Sequence, residues 1–143
     1  MLKSFSVTNY KCFKDTETLD FHTHHNYNFN NKLIRNGLIN KMMIVGPNAS
    51  GKTNLGFALF DIVRVLTDYT CNPRQGDAPS FLNCESSEEY ATFVYEFIFN
   101  DSILRYEYRK TDPNRIVYES LYVDKEIIFV ISQDYSDFEN LKI

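Results

Sequence analysis

The 143 residues suit one ordinary domain with a core of its own and are too few for two, so residues 1–143 are read as a single domain. Hydrophobic residues make up 43% and charged residues 24% of the chain, a balance that excludes a disordered or fibrous protein. The net charge of −4 gives no general attraction to nucleic acid, and no apolar run reaches the roughly 18–20 residues of a membrane-spanning helix, so a cytoplasmic protein with no membrane partner is expected.

Residues 2–8 set Phe5 and Val7 on one face and Ser4, Ser6 and Thr8 on the other, which predicts a half-buried strand. A second short strand is expected at 18–21, joined to the first through Asn9, Tyr10, Lys11, Cys12 and Phe13. Residues 22–41 lack periodicity and read as loop, with a turn at Asn36-Gly37. The run Met42, Met43, Ile44, Val45 is wholly apolar and predicts a central strand buried on both faces. Leu55, Leu59, Ile62, Leu66 and Tyr69 then recur at spacings of four and three, predicting one face of a helix over 53–69. Residues 70–89 carry two prolines, a glycine and several acids and read as a long loop. Over 90–131 aromatic and branched residues alternate with polar ones between turns at Asn100-Asp101, Asp112-Pro113-Asn114 and Asp124-Lys125, an antiparallel β-meander.

Between the predicted strand and helix lies Gly46-Pro47-Asn48-Ala49-Ser50-Gly51-Lys52-Thr53, which satisfies Gly-x-x-x-x-Gly-Lys-Ser/Thr, a phosphate-binding loop (Walker A). Gly46 and Gly51 allow backbone angles that let successive amides turn inward around anionic oxygens. The helix that follows adds its free N-terminal amides and the positive end of its dipole. Lys52 is expected to reach the β- and γ-phosphates and the Thr53 hydroxyl to ligate Mg²⁺, with Pro47, Asn48, Ala49 and Ser50 lining the cradle. The expected cofactors are ATP and Mg²⁺. The fold class that follows is mixed α/β: the N-terminal lobe of a P-loop NTPase, with a central strand–loop–helix unit in residues 1–69 and the meander in 90–131.

The segment Asn9-Tyr10-Lys11-Cys12-Phe13, followed by Gly-Pro-Asn-Ala-Ser-Gly-Lys-Thr-Asn-Leu, resembles the N-terminus of ABC-type ATPase heads of the RecF, SMC and OLD group. It is most similar to bacterial AAA-type ATP-binding proteins of that group, some tied to abortive infection and phage defence. The resemblance implies that Lys11 lies near the nucleotide and that Asn54 begins the helix beneath the phosphates. It further implies a larger protein that hydrolyses ATP as a homodimer and couples hydrolysis to DNA metabolism, repair or defence. Residues 1–143 would be its first lobe, since neither a Walker B strand nor a signature motif occurs. The run 127–131 is separated from Asp134 by Ser132 and Gln133 and reads as an ordinary strand. Gln133 invites comparison with the glutamine that reaches the metal in such ATPases. The chain alone is therefore expected to bind ATP and turn it over poorly.

Two other functions fit the loop: a small phosphotransferase (P-loop kinase), and a non-catalytic interaction module stabilised by nucleotide. His22, His24 and His25 lack a second ligand pair at zinc spacing and read as polar loop. Cys12, Cys71 and Cys84 show no Cys-x-x-Cys spacing and suit reduced thiols. Arg105, Glu107 and Arg109 read as the solvated side of a strand with cross-strand ion pairs.

Overall fold

The computed structural model describes residues 1–23, 31–67, 81–132 and 135–137. The two N-terminal strands form as β1 (Leu2–Thr8) and β2 (Glu17–Asp20). The stretch predicted as loop holds a 3₁₀ turn (Asn31–Leu33) and a small hairpin, β3 (Ile34–Arg35) and β4 (Leu38–Ile39). It turns on Asn36 and Gly37, both at positive φ, which is the pair of angles a tight two-residue hairpin requires. The helix α1 spans Lys52–Leu66. The aromatic half of the chain then forms β5 (Ala91–Phe99), β6 (Ser102–Asp112), β7 (Arg115–Val123), β8 (Glu126–Ser132) and β9 (Tyr135–Asp137).

The five C-terminal strands follow one another as a meander because short turns leave no other partner within reach. Asn100 and Asp101 turn the chain with φ of 47° and 68°, and Asp124 and Lys125 with 48° and 74°. The Asp124 carboxylate accepts the Ile103 amide at 2.8 Å, tying the second of these turns to the start of β6. β1 adds antiparallel to β5, so the sheet runs β2-β1-β5-β6-β7-β8-β9 with every pair antiparallel. Its inner face contributes Phe5, Val7, Phe93, Tyr95, Tyr106 and Tyr108 to the core, and α1 covers that face through Ala58, with Leu55, Leu59, Ile62 and Val65 around it. Phe93 and Tyr108 stack at 5.1 Å between ring centres, and Phe5 lies 4.8 Å from Tyr95.

This architecture corrects the α/β assignment. The sheet is antiparallel throughout, and residues 42–45, expected to be the central strand of a strand–loop–helix unit, form no strand. Met43 and Val45 are 85% and 80% exposed. A short apolar run is only permissive for a buried strand; a ladder must also be open on both sides and covered on both faces. Within the seven-stranded sheet each interior strand already has both neighbours, all antiparallel, so residues 42–45 find no place there. Only the loop-to-helix half of the predicted unit forms.

The helix prediction is corrected in the same way. Leu66, assigned to the buried face, is exposed, as are Phe57, Phe60 and Val63. The sheet packs on the stripe through 55, 58, 61, 62 and 65, leaving a second apolar stripe to solvent. Tyr69 lies outside the described residues.

Candidate phosphate site

Residues 46–51 form an open loop that leads straight into α1. Its reversal is made at Ala49 (φ 62°) and Gly51 (φ 86°). Gly51 therefore uses the left-handed freedom expected of it, whereas Gly46 is constrained differently: a Cβ there would stand 3.1 Å from Ser50 Oγ. Gly51 is also the N-cap of α1, without a side-chain acceptor, and the first turn carries no acid. The helix end thus keeps its positive dipole uncompensated by the chain's own side chains.

The Lys52 ammonium folds back over this loop. It donates to the Gly46 carbonyl at 2.7 Å, to the Pro47 carbonyl, and to Ser50 Oγ at 3.3 Å. A flexible cation with three donors is held at the loop mouth by two backbone carbonyls and a hydroxyl, with no carboxylate among these partners. Pro47, Asn48, Ala49, Ser50 and Thr53 are exposed. Such a set fits phosphate oxygens, which could replace the carbonyls as partners of the ammonium while the exposed Thr53 hydroxyl stays available to a hard cation.

The wall behind the loop is the tight turn after β1. Asn9 and Lys11 have φ of 53° and 50°, and Tyr10 and Phe13 exchange backbone bonds at 2.9 and 2.8 Å. The buried Asn9 side chain donates to the Glu88 and Tyr90 carbonyls and accepts from the Asn83 amide, while Asn83 Nδ2 donates to the Lys11 carbonyl at 2.7 Å. This turn is consequently fixed to the segment that precedes β5. Its Cys12 and Phe13 meet the loop: a Cβ on Gly51 would lie 2.9 Å from Cys12 Sγ and 3.3 Å from the Phe13 ring. Asn54 Nδ2 donates to Cys12 Sγ at 3.2 Å. The structure thus joins residues 12–13 to 51–54, while the Lys11 ammonium lies over the Tyr10 ring, 5.7 Å from its centre.

Gln133 and Asp134, His24 and His25, and Cys71 lie outside the described residues. His22 Nδ1 is 2.8 Å from Asp20 Oδ1. Among the described residues no group of three or more His, Cys, Asp or Glu could hold a metal ion, and no helix is long and apolar enough to cross a membrane.

A buried polar cluster beneath the helix was not anticipated from the sequence. Asp61 of α1 meets Lys110 and Tyr108 of β6, and Tyr108 in turn meets Tyr95 of β5 at 3.2 Å between hydroxyls. Burial beside this carboxylate pushes both tyrosine hydroxyls far above their ordinary range, so they stay protonated donors. The available signal was the continuation of the alternation Leu104, Tyr106, Tyr108 to Lys110, which puts a cation on the core face.

On the opposite face of the sheet Glu107 pairs with Arg105 at 2.7 Å and Arg109 at 3.1 Å. Arg109 lies over the Tyr118 and Tyr90 rings, and Arg105 over Tyr122. The ion pairs expected on this face therefore run along β6 itself and not across strands, and Glu107 between the two arginines is buried, so the expectation of a solvated face with cross-strand pairs is corrected. Nearby, Lys3 donates to Glu96 at 2.9 Å, and this bond holds the Glu96 carboxyl below the usual range. Its contribution to stability is therefore complete above the unfolded carboxylate value and fades as the pH falls through the lowered one. Lys3→Met is expected to flatten that part of the acid limb, by a small amount because both groups are partly solvated, when urea midpoints are compared between about pH 6 and 3.

The chain matches no protein-family model, and no curated protein gives a significant match to it.

Proposed function

We propose that this chain binds ATP with Mg²⁺ through the backbone of residues 46–53, the Lys52 ammonium and the Thr53 hydroxyl. The observation that carries the reading is the Lys52 ammonium poised over the loop carbonyls at an uncapped helix N-terminus. Three independent attractions for a polyphosphate converge there: a cation, a helix dipole and a backbone loop with glycine at its left-handed position. Bound Mg²⁺ would neutralise phosphate charge, with Thr53 as its ligand from this loop and water or phosphate oxygens completing the shell.

The contact between residues 12–13 and 51–54 joins the two stretches that carry the resemblance to ABC-type heads of the RecF, SMC and OLD group. On that resemblance we take the chain as the ATP-binding part of a cytoplasmic ATPase that works as a homodimer on or near DNA. Hydrolysis requires positioned water and charge stabilisation beyond a phosphate cradle, so this chain alone is expected to turn ATP over poorly.

Calorimetric titration with a non-hydrolysable ATP analogue tests the proposal. Wild-type protein is expected to bind more tightly with Mg²⁺ than without. Lys52→Ala loses charge-assisted bonds worth about 1.5–3 kcal/mol, a weakening of about 10- to 100-fold. Equal binding by the two proteins would remove the reading. The exposed thiols give a second measure, since Cys12 touches the loop and Cys84 is not among its contacts. In a Cys71→Ser background, Mg²⁺ and the analogue are expected to slow alkylation of Cys12 relative to Cys84.

A further inference from the structure

The helix α1 is held at two places. At its start, Gly51 lies against Cys12 and Phe13, and Asn54 bonds to Cys12. Further along, three side chains of the sheet close on a single turn. Tyr95 Oη donates to the Ala58 carbonyl at 2.8 Å, Tyr108 Oη donates to Asp61 Oδ2 at 3.0 Å, and Lys110 Nζ donates to both Asp61 oxygens at 3.1 and 2.9 Å. Asp61 and Lys110 are 4% and 2% exposed.

The remaining contacts of this face are made by Leu55, Ala58, Leu59, Ile62 and Val65, and aliphatic packing tolerates small slides and rotations before it loses much energy. An ammonium shared between two carboxylate oxygens, one of them also bound by a tyrosine, has a narrow geometry. Burying such a pair is weak evidence for stability, because an apolar pair of similar volume often serves as well or better. What the charges add is a single placement of the helix. Asp61 stands nine residues beyond Lys52, about 13 Å along a rigid helix, so its placement is passed on to the loop.

We infer that the Asp61–Lys110 pair, with Tyr108, is a positioning element for the phosphate site: it fixes the rotation and axial setting of α1, and so where Lys52 and the first-turn amides stand. This rests on the nucleotide reading above for its functional meaning. Binding sites need their groups held to about 0.5 Å, a tolerance that a slack helix would exceed.

The test compares wild type with Asp61→Leu/Lys110→Met, which replaces the ion pair by apolar side chains. The double variant is expected to match or exceed the wild-type urea midpoint, yet to bind the Mg²⁺-loaded ATP analogue about tenfold more weakly. Backbone amide NMR signals of Gly51, Lys52 and Thr53 are expected to move or broaden in the nucleotide-free protein. A folded double variant with wild-type affinity and superimposable amide signals would overturn the inference. Should it not fold, Asp61→Asn/Lys110→Gln keeps a neutral hydrogen bond at the same place. That variant is expected to weaken binding by about threefold with amide shifts in the same direction; no change in either would also overturn the inference. If wild type fails to bind nucleotide, the nucleotide reading fails by itself, and the amide signals alone decide whether the pair places the loop.

Discussion

Lys110→Met is expected to lower the stability of the protein by about 3–5 kcal/mol, because it breaks an ion pair buried on both sides. Removing the ammonium leaves the Asp61 carboxylate buried, with the Tyr108 hydroxyl as its remaining side-chain donor among the bonds seen here. A buried charge that loses its counter-ion keeps its full desolvation penalty, whereas replacing both partners removes the penalty with the attraction. The order of stabilities is therefore wild type and Asp61→Leu/Lys110→Met together at the top, Lys110→Met well below. Tyr108→Phe falls between, because it removes a hydroxyl that links Asp61 to Tyr95 and leaves the ion pair in place. Urea unfolding followed by tyrosine fluorescence and circular dichroism measures this order. A loss under about 1 kcal/mol for Lys110→Met would mean that water reaches Asp61 in the folded protein, and the cluster would then be no buried anchor.

The same cluster shows where the sequence was legible and where it was not. The meander could be read because each strand alternates over its whole length and each turn is marked by residues that tolerate positive φ, as at Asn100-Asp101 and Asp124-Lys125. The phosphate loop could be read because its residues are neighbours in the chain. Asp61 and Lys110 are 49 residues apart, and although the alternation of β6 carries Lys110 to the core face, nothing in either segment names the other as its partner. Only the pairing of β5 with β6 under α1 brings them together. Residues 42–45 mislead for the converse reason: the run is as apolar as a central strand, but a strand is defined by its ladder, and the partners are not a property of the run. The second apolar stripe of α1, through Phe57, Phe60, Val63 and Leu66, is exposed beside the stripe that packs on the sheet. Periodicity alone merged the two stripes and placed Leu66 on the wrong one.

Two glycines five positions apart are expected to respond in opposite ways to the same added methyl group. At Gly51 the backbone is left-handed and a Cβ would meet Cys12 Sγ at 2.9 Å, so Gly51→Ala strains the backbone and pushes the turn of residues 9–13 away from the loop. A loss of about 1–2 kcal/mol in stability is expected, together with at least about tenfold weaker binding of the Mg²⁺-loaded ATP analogue, because the first-turn amides move with the cap. At Gly56, inside α1, a Cβ meets nothing within 4 Å. Gly56→Ala is therefore expected to stabilise the protein by about 0.5–1 kcal/mol through the lower entropy of its unfolded chain and to leave affinity unchanged. The contrast separates loop geometry from helix stability, since both variants add the same atoms to the same loop–helix segment. If Gly51→Ala and Gly56→Ala bind the analogue equally well, the left-handed cap is no part of a phosphate cradle, and the loop of residues 46–53 is only the entry to a helix.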